Sequence, residues 1–198
     1  MRLKIGGVNS LAMKENIIVE LTAKDDKYAC ALADKIISES RETDEWYEYF
    51  DDFASLLDHP KSLVRNRALN ILAANAQWDD ENRFDSIIAD FLAHITDEKP
   101  ITARQCIKAL ARVGLAKPQY IPGILSSLHC ADLSKYKDSM RPLIEKDIAE
   151  TEKILLNCKL SVHMTNSVKP CRGGVSPPAG RGTRPLQRKT NKSINSNL

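Results

Sequence analysis

Apolar residues fall at helical spacing almost throughout the first 157 positions, and no alternating strand pattern of useful length appears there. A short face of Ile17, Ile18 and Leu21 follows an irregular stretch over 1–13. A second helix is predicted from about Asp26 to Ser40, with Ala29, Leu32, Ala33, Ile36 and Ile37 inward and carboxylates at its start. Thr43 is placed to cap a third helix, whose stripe is Trp46, Tyr49, Phe50, Phe53, Leu56 and Leu57. The turn Asp58-His59-Pro60 leads into a fourth, with Val64, Ala68, Ile71, Leu72 and Ala76 inward. Asp79-Asp80-Glu81 opens a fifth, with solvated carboxylates and a stripe of Phe84, Ile87, Ile88, Phe91, Leu92 and Ile95. A sixth begins at Pro100, where a missing amide costs little, and Gly114 is placed to end it. Lys117-Pro118 starts a seventh, which Pro122-Gly123 should shorten or kink before His129. The eighth is expected from about Tyr136 to Cys158, with Leu143, Ile144, Ile148 and Leu155 inward.

These helices repeat. At an offset of 38 residues, Leu57 falls on Ile95, Leu63 on Ile101, Ala68 on Cys106, Leu69 on Ile107, Leu72 on Leu110 and Ala73 on Ala111. One helical hairpin cannot bury both of its apolar faces, so copies stack and share a core. The stretch LLDHPKSLVRNRALNILA (56–73) carries a leucine pair, a turn with Pro60, the step Val64-Arg65, the small Ala68 and the later Leu72. In this it resembles the HEAT repeat, an armadillo (ARM)-type fold also found in small bacterial α-solenoids. The resemblance covers about residues 14–157. It implies an all-α chain, a right-handed α-α superhelix of about four hairpins, with the second helices lining a concave surface. The family pairs a turn aspartate with an arginine of the second helix in the neighbouring repeat. Here His59 stands in the aspartate place, Asp97 fills it in the next repeat, and Ala103 holds the arginine place with Arg104 one later. The ladder is expected to be irregular.

Charge divides the chain. The 29 basic and 26 acidic residues give a net +3, but no Asp or Glu follows Glu152 and eight of the basic residues lie beyond Asn157. Residues 1–156 therefore carry 21 basic and 26 acidic side chains, a net −5, which works against tight binding of nucleic acid. From Val162 the composition turns to Pro, Gly, Ser and basic residues, which cannot bury enough apolar surface to offset ordering entropy. Residues 158–198 are accordingly expected to be a disordered basic tail. Such a tail either meets an acidic partner or RNA, or is an appendage foreign to the domain. No apolar run reaches 18 residues, so no membrane partner is expected, and the N-terminus lacks the apolar core of a secretory signal.

Candidate chemistry is sparse. The five cysteines are widely spaced and form no Cys-x-x-Cys pair, so neither a metal nor a disulfide framework is expected, and the cytoplasm is the expected compartment. His59, His94, His129 and His163 have no nucleophile elbow beside them, and no phosphate-cradling or dinucleotide glycine loop precedes a helix. No cofactor and no catalytic residue are assigned. What stands out is basic: Arg104, Lys108 and Arg112 recur every four residues on the sixth helix, and Arg65 and Arg67 lie on the fourth. The resemblance would put all five on one concave surface, suited to a protein or peptide partner with acidic groups. The expected function is a non-catalytic scaffold. The alternative is a nucleic-acid-binding protein resembling the HEAT-like glycosylases that excise alkylated bases, for which Trp46, Trp78 and Asp79 are the residues to weigh.

Overall fold

The computed structural model describes residues 17–166, with side-chain environments through Cys158. The predicted N-terminal extension 1–13 and the tail from 167 onward lie outside the described residues. Among the described residues the chain is all-helical. Helix α1 is described over 17–21; it is followed by α2 (Asp26–Glu39), α3 (Phe50–Ser55), α4 (Ser62–Asn75), α5 (Ile88–Ala93), α6 (Pro100–Ala116), α7 (Ile121–His129) and α8 (Arg141–Asn166). Successive second helices α2, α4, α6 and α8 pack side by side in chain order. Helix α3 packs on α4, and α7 on both α6 and α8. No helix among the described residues is long and apolar enough to cross a membrane.

The 38-residue offset is visible in burial. Leu57 and Ile95, Ala68 and Cys106, Leu69 and Ile107, Leu72 and Leu110, Ala73 and Ala111 are all buried, and the pair Leu63 and Ile101 is exposed in both copies, at 39% and 60%. Helix α4 is buried around most of its girth because α2 and α6 flank it and α3 covers it. The aromatic stripe of the third helix meets that of the fifth: Phe50 and Phe84 are fully buried and sit edge to face with centroids 5.2 Å apart, a pair that contributes about 0.5–1.5 kcal/mol beyond its area.

The turns before α4 and α6 close on the same hydrogen bond, made three residues before each helix, and a similar bond caps α2 directly and recurs in the loop after α7. Asp25 accepts from the Lys27 amide (3.0 Å), Asp97 from the Lys99 amide (2.8 Å) and Asp132 from the Ser134 amide (2.9 Å). At His59 the ring Nδ1 accepts from the Lys61 amide (3.0 Å). A side-chain acceptor aimed two residues ahead closes a turn and sets the entry to the next helix. An imidazole nitrogen performs this task as a carboxylate does, without the charge.

Several local expectations are corrected. Thr43 does not cap the third helix; its hydroxyl donates back to the Glu39 carbonyl (3.5 Å), and the segment begins as a 3-10 turn, Glu45–Tyr49, before α3. Gly114 does not end α6, which runs on to Ala116; it is the point where Leu155 of α8 lies so close that no Cβ fits. The seventh helix is short and ends at His129 as expected: a 3-10 turn, Pro118–Tyr120, precedes α7, whose first turn holds Pro122 where no amide is needed. Helix α8 begins at Arg141, not Tyr136, and continues through Asn166, past the expected boundary with the tail. Leu143 is exposed, whereas Ile144 and Leu155 are fully buried.

Candidate functional site

A groove runs over α2, α4 and α6, with two compartments of about 420 and 320 Å³ that share Arg41 and Arg112 on their walls. The larger is lined by Ala33, Asp34 and Ile37 from α2, by Leu63 and Asn70 from α4, and by Gln105 from α6, among others. Ala73, Ala74, Leu115 and Ala116 make the smaller one mostly apolar.

Arg41 sits just beyond α2, in a turn held from below by the next hairpin. The Ser40 carbonyl accepts from the Trp78 indole (2.6 Å) and the Gln77 amide (2.8 Å), and the buried Ser40 hydroxyl accepts from Asn75 (3.0 Å). Arg112 projects from α6 and donates to Asn70 of α4. Burial, and then the neighbouring Arg41 charge, lower its pKa from the ordinary arginine value. Among the described residues neither guanidinium has a carboxylate at ion-pairing distance. Helical periodicity gave no sign of Arg41, because it lies in a turn whose position depends on residues 35 or more away in sequence.

The structure does not bring the five sequence-predicted residues together on one surface. Arg65 is 7% exposed, and its guanidinium grips both oxygens of Asp97 (2.8 and 2.9 Å) and the carbonyls of His59 and Pro60. This is a turn aspartate paired with the arginine of the preceding hairpin. Arg67 is 4% exposed and donates to the Leu21 carbonyl at the end of α1 and to Asp26 at the start of α2 (2.8 Å each). Both arginines are committed to internal pairs, Arg65 to Asp97 and Arg67 to Asp26, although Arg67 also borders the larger compartment and its Nε has no partner among the described residues. Arg104 and Lys108 face α8 and share the buried Asp147, two cations on one carboxylate. Of the five, Arg67 and Arg112 line the groove, and among the described residues Arg112 has no carboxylate at ion-pairing distance.

The residues weighed for base excision are spent internally. The Trp46 indole donates to Glu39 (2.9 Å), and that of Trp78 to the Ser40 carbonyl. Asp79, read as a solvated helix start, is 1% exposed. It accepts from the Tyr47 hydroxyl (2.6 Å), from the amides of Arg83 and Phe84, and pairs with Lys117 (3.2 Å). Among the described residues no cluster of three His, Cys, Asp or Glu is arranged to hold a metal ion. His94 lies at a helix end, as expected, with Nδ1 2.9 Å from Asp97 Oδ2. No family model, curated protein or solved structure matches this chain.

Proposed function

We propose that this chain is a HEAT-like, armadillo-type scaffold, its hairpins stacked in a right-handed superhelix, that binds a protein or peptide segment in the groove over α2, α4 and α6. The carrying observation is the groove itself: two compartments with a shared wall, lined by apolar and amide side chains, with two guanidiniums that no carboxylate among the described residues neutralises. The matched turns at His59 and Asp97, each three residues before its helix, support a repeat array. The free thiols of Cys30, Cys106, Cys130 and Cys158 suit a reducing compartment such as the cytoplasm. Internal use of Trp46, Trp78 and Asp79 favours this reading over a glycosylase-like one, because flipping out a base needs an open stacking surface and an available acid.

The test is to fill the groove without touching the core. Asp34→Trp and Gln105→Trp put bulk into the larger compartment. Proteins crosslinked to the full-length chain in cells should be lost from both variants and kept by Asp90→Trp on exposed α5. A partner set that ignores both groove substitutions refutes the assignment.

A further inference from the structure

Arg41 and Arg112 approach one another from different hairpins. Arg41 is exposed at the end of a turn. Arg112 is half-buried, anchored to Asn70 and close enough to Arg41 for their charges to oppose each other. Two like charges that both line both compartments raise the energy of the empty groove. An anion between them removes that cost and gains charge-assisted hydrogen bonds from planar, forked donors. We propose that this pair is the recognition point for a single acidic side chain on a peptide segment, whose neighbouring aliphatic side chain enters the compartment of Ala73, Ala74, Leu115 and Ala116. This rests on the groove-binding reading and names the chemistry of the occupant.

Charge and shape choose that occupant. Nucleic acid presents a phosphate at every nucleotide and is held by a long basic track. Here the track is interrupted: Arg65 and Arg67 are buried in internal pairs, and Arg104 and Lys108 share Asp147. What remains is a point charge beside an apolar trough, and that matches a carboxylate flanked by aliphatic residues. The chain's own sequence beyond Glu152 fits poorly, since it contains no Asp or Glu and nine basic residues.

Fluorescence anisotropy on the full-length chain tests this with a labelled peptide of alternating Leu and Asp. Its twin with Asn for Asp and an oligothymidylate of equal length serve as comparisons. The acidic peptide should bind saturably, and the Asn twin about tenfold more weakly. Arg41→Ala, at an exposed position that spares the core, should weaken the acidic peptide about tenfold and leave the twin unchanged. Lys35→Ala, whose exposed lysine pairs with Glu39 one turn along α2, should bind like the parent. Equal binding of the two peptides, no saturation at millimolar concentration, or parental binding by Arg41→Ala overturns the proposal. So does an oligothymidylate that binds more tightly than the peptide and is lost in Arg41→Ala, because the pair would then read phosphate. If groove-filling variants lose their partners in cells while Arg41→Ala keeps them, the scaffold reading stands and this inference alone fails.

Discussion

Asp97→Asn removes one negative charge from a buried cluster and keeps the side chain's size. In the parent, the carboxylate receives Arg65 through Nε and Nη2, His94 through Nδ1, and the Lys99 amide. The Asp97 and Arg65 side chains are 3% and 8% exposed. In the variant the guanidinium keeps the carbonyls of His59 and Pro60 and a distant, exposed Glu98 (3.8 Å), but faces a neutral amide. Breaking a buried pair by removing one partner costs about 3–5 kcal/mol, and the Asn oxygen still accepts one bond, so a loss of ~3 kcal/mol is expected at neutral pH. That is a large part of the 5–15 kcal/mol typical of a domain.

The pH dependence provides a second, independent reading. Burial by itself raises the Asp97 carboxyl; the Arg65 guanidinium, the Lys99 amide and the His94 ring outweigh it, and the pKa falls below the ordinary 3.8. A carboxyl whose folded pKa is depressed contributes stability above the unfolded value, and that contribution is lost as pH falls through the folded one. The gap between parent and variant should therefore be constant from neutral pH down to about 5, then close on further acidification. Urea unfolding followed by far-UV ellipticity measures both quantities. A loss under ~1 kcal/mol, the size of an exposed ion pair, or a gap that widens in acid refutes the reasoning. Combining Asp97→Leu with Arg65→Met should recover most of the loss, because apolar groups of similar size need no partner.

Two further outcomes follow from packing and burial. Gly114→Ala places a methyl inside the van der Waals envelope of Leu155 Cδ2, with Ile121 and Ile124 closing the other side; the expected net cost is ~1–2 kcal/mol after the helix-propensity gain, and a thermal melt at or above the parent's would contradict it. Burial, followed by the Asp79 and Asp85 carboxylates respectively, raises the pKa of Tyr47 and Tyr120, and burial with the Asp97 charge pushes Tyr136 up to about 12. These phenols stabilise the fold fully below the ordinary value of 10.0, and the contribution fades as pH rises through their folded values, so stability should decline above pH 10 with phenolate absorbance lagging behind that of the unfolded chain. Phenolate appearing at the unfolded-chain pH would count against their burial.

The helices, the repeat offset and most core positions were legible in the sequence because they depend on spacing alone, which adjacent residues carry. Leu69 and Ile107 answer to the same neighbours in successive hairpins, and their pattern reports it. Charge was not legible in the same way. Arg65 and Arg67 stand among apolar residues like any solvated arginine of an amphipathic helix, yet their partners are 32 and 41 residues away. Asp79 read as a helix-opening carboxylate, and it is one, but the hydroxyl that buries it comes from Tyr47 in the preceding hairpin. His59 is the instructive case. Its presence in the aspartate place suggested an irregular stack, whereas the turn bond to the following amide is intact. What the imidazole lacks is the charge, and Arg65 donates to the His59 carbonyl, not to its ring. The stack joins α2 to α4 by another route, with Arg67 and Lys61 both on Asp26. Turn geometry and charge pairing are thus separable here: the turns before α4 and α6 both carry the side-chain acceptor, and at Asp97 that acceptor also meets a buried arginine. On this account His59→Asp leaves the turn intact but places a second carboxylate beside Asp58 in the chain, so the substitution should not stabilise the fold.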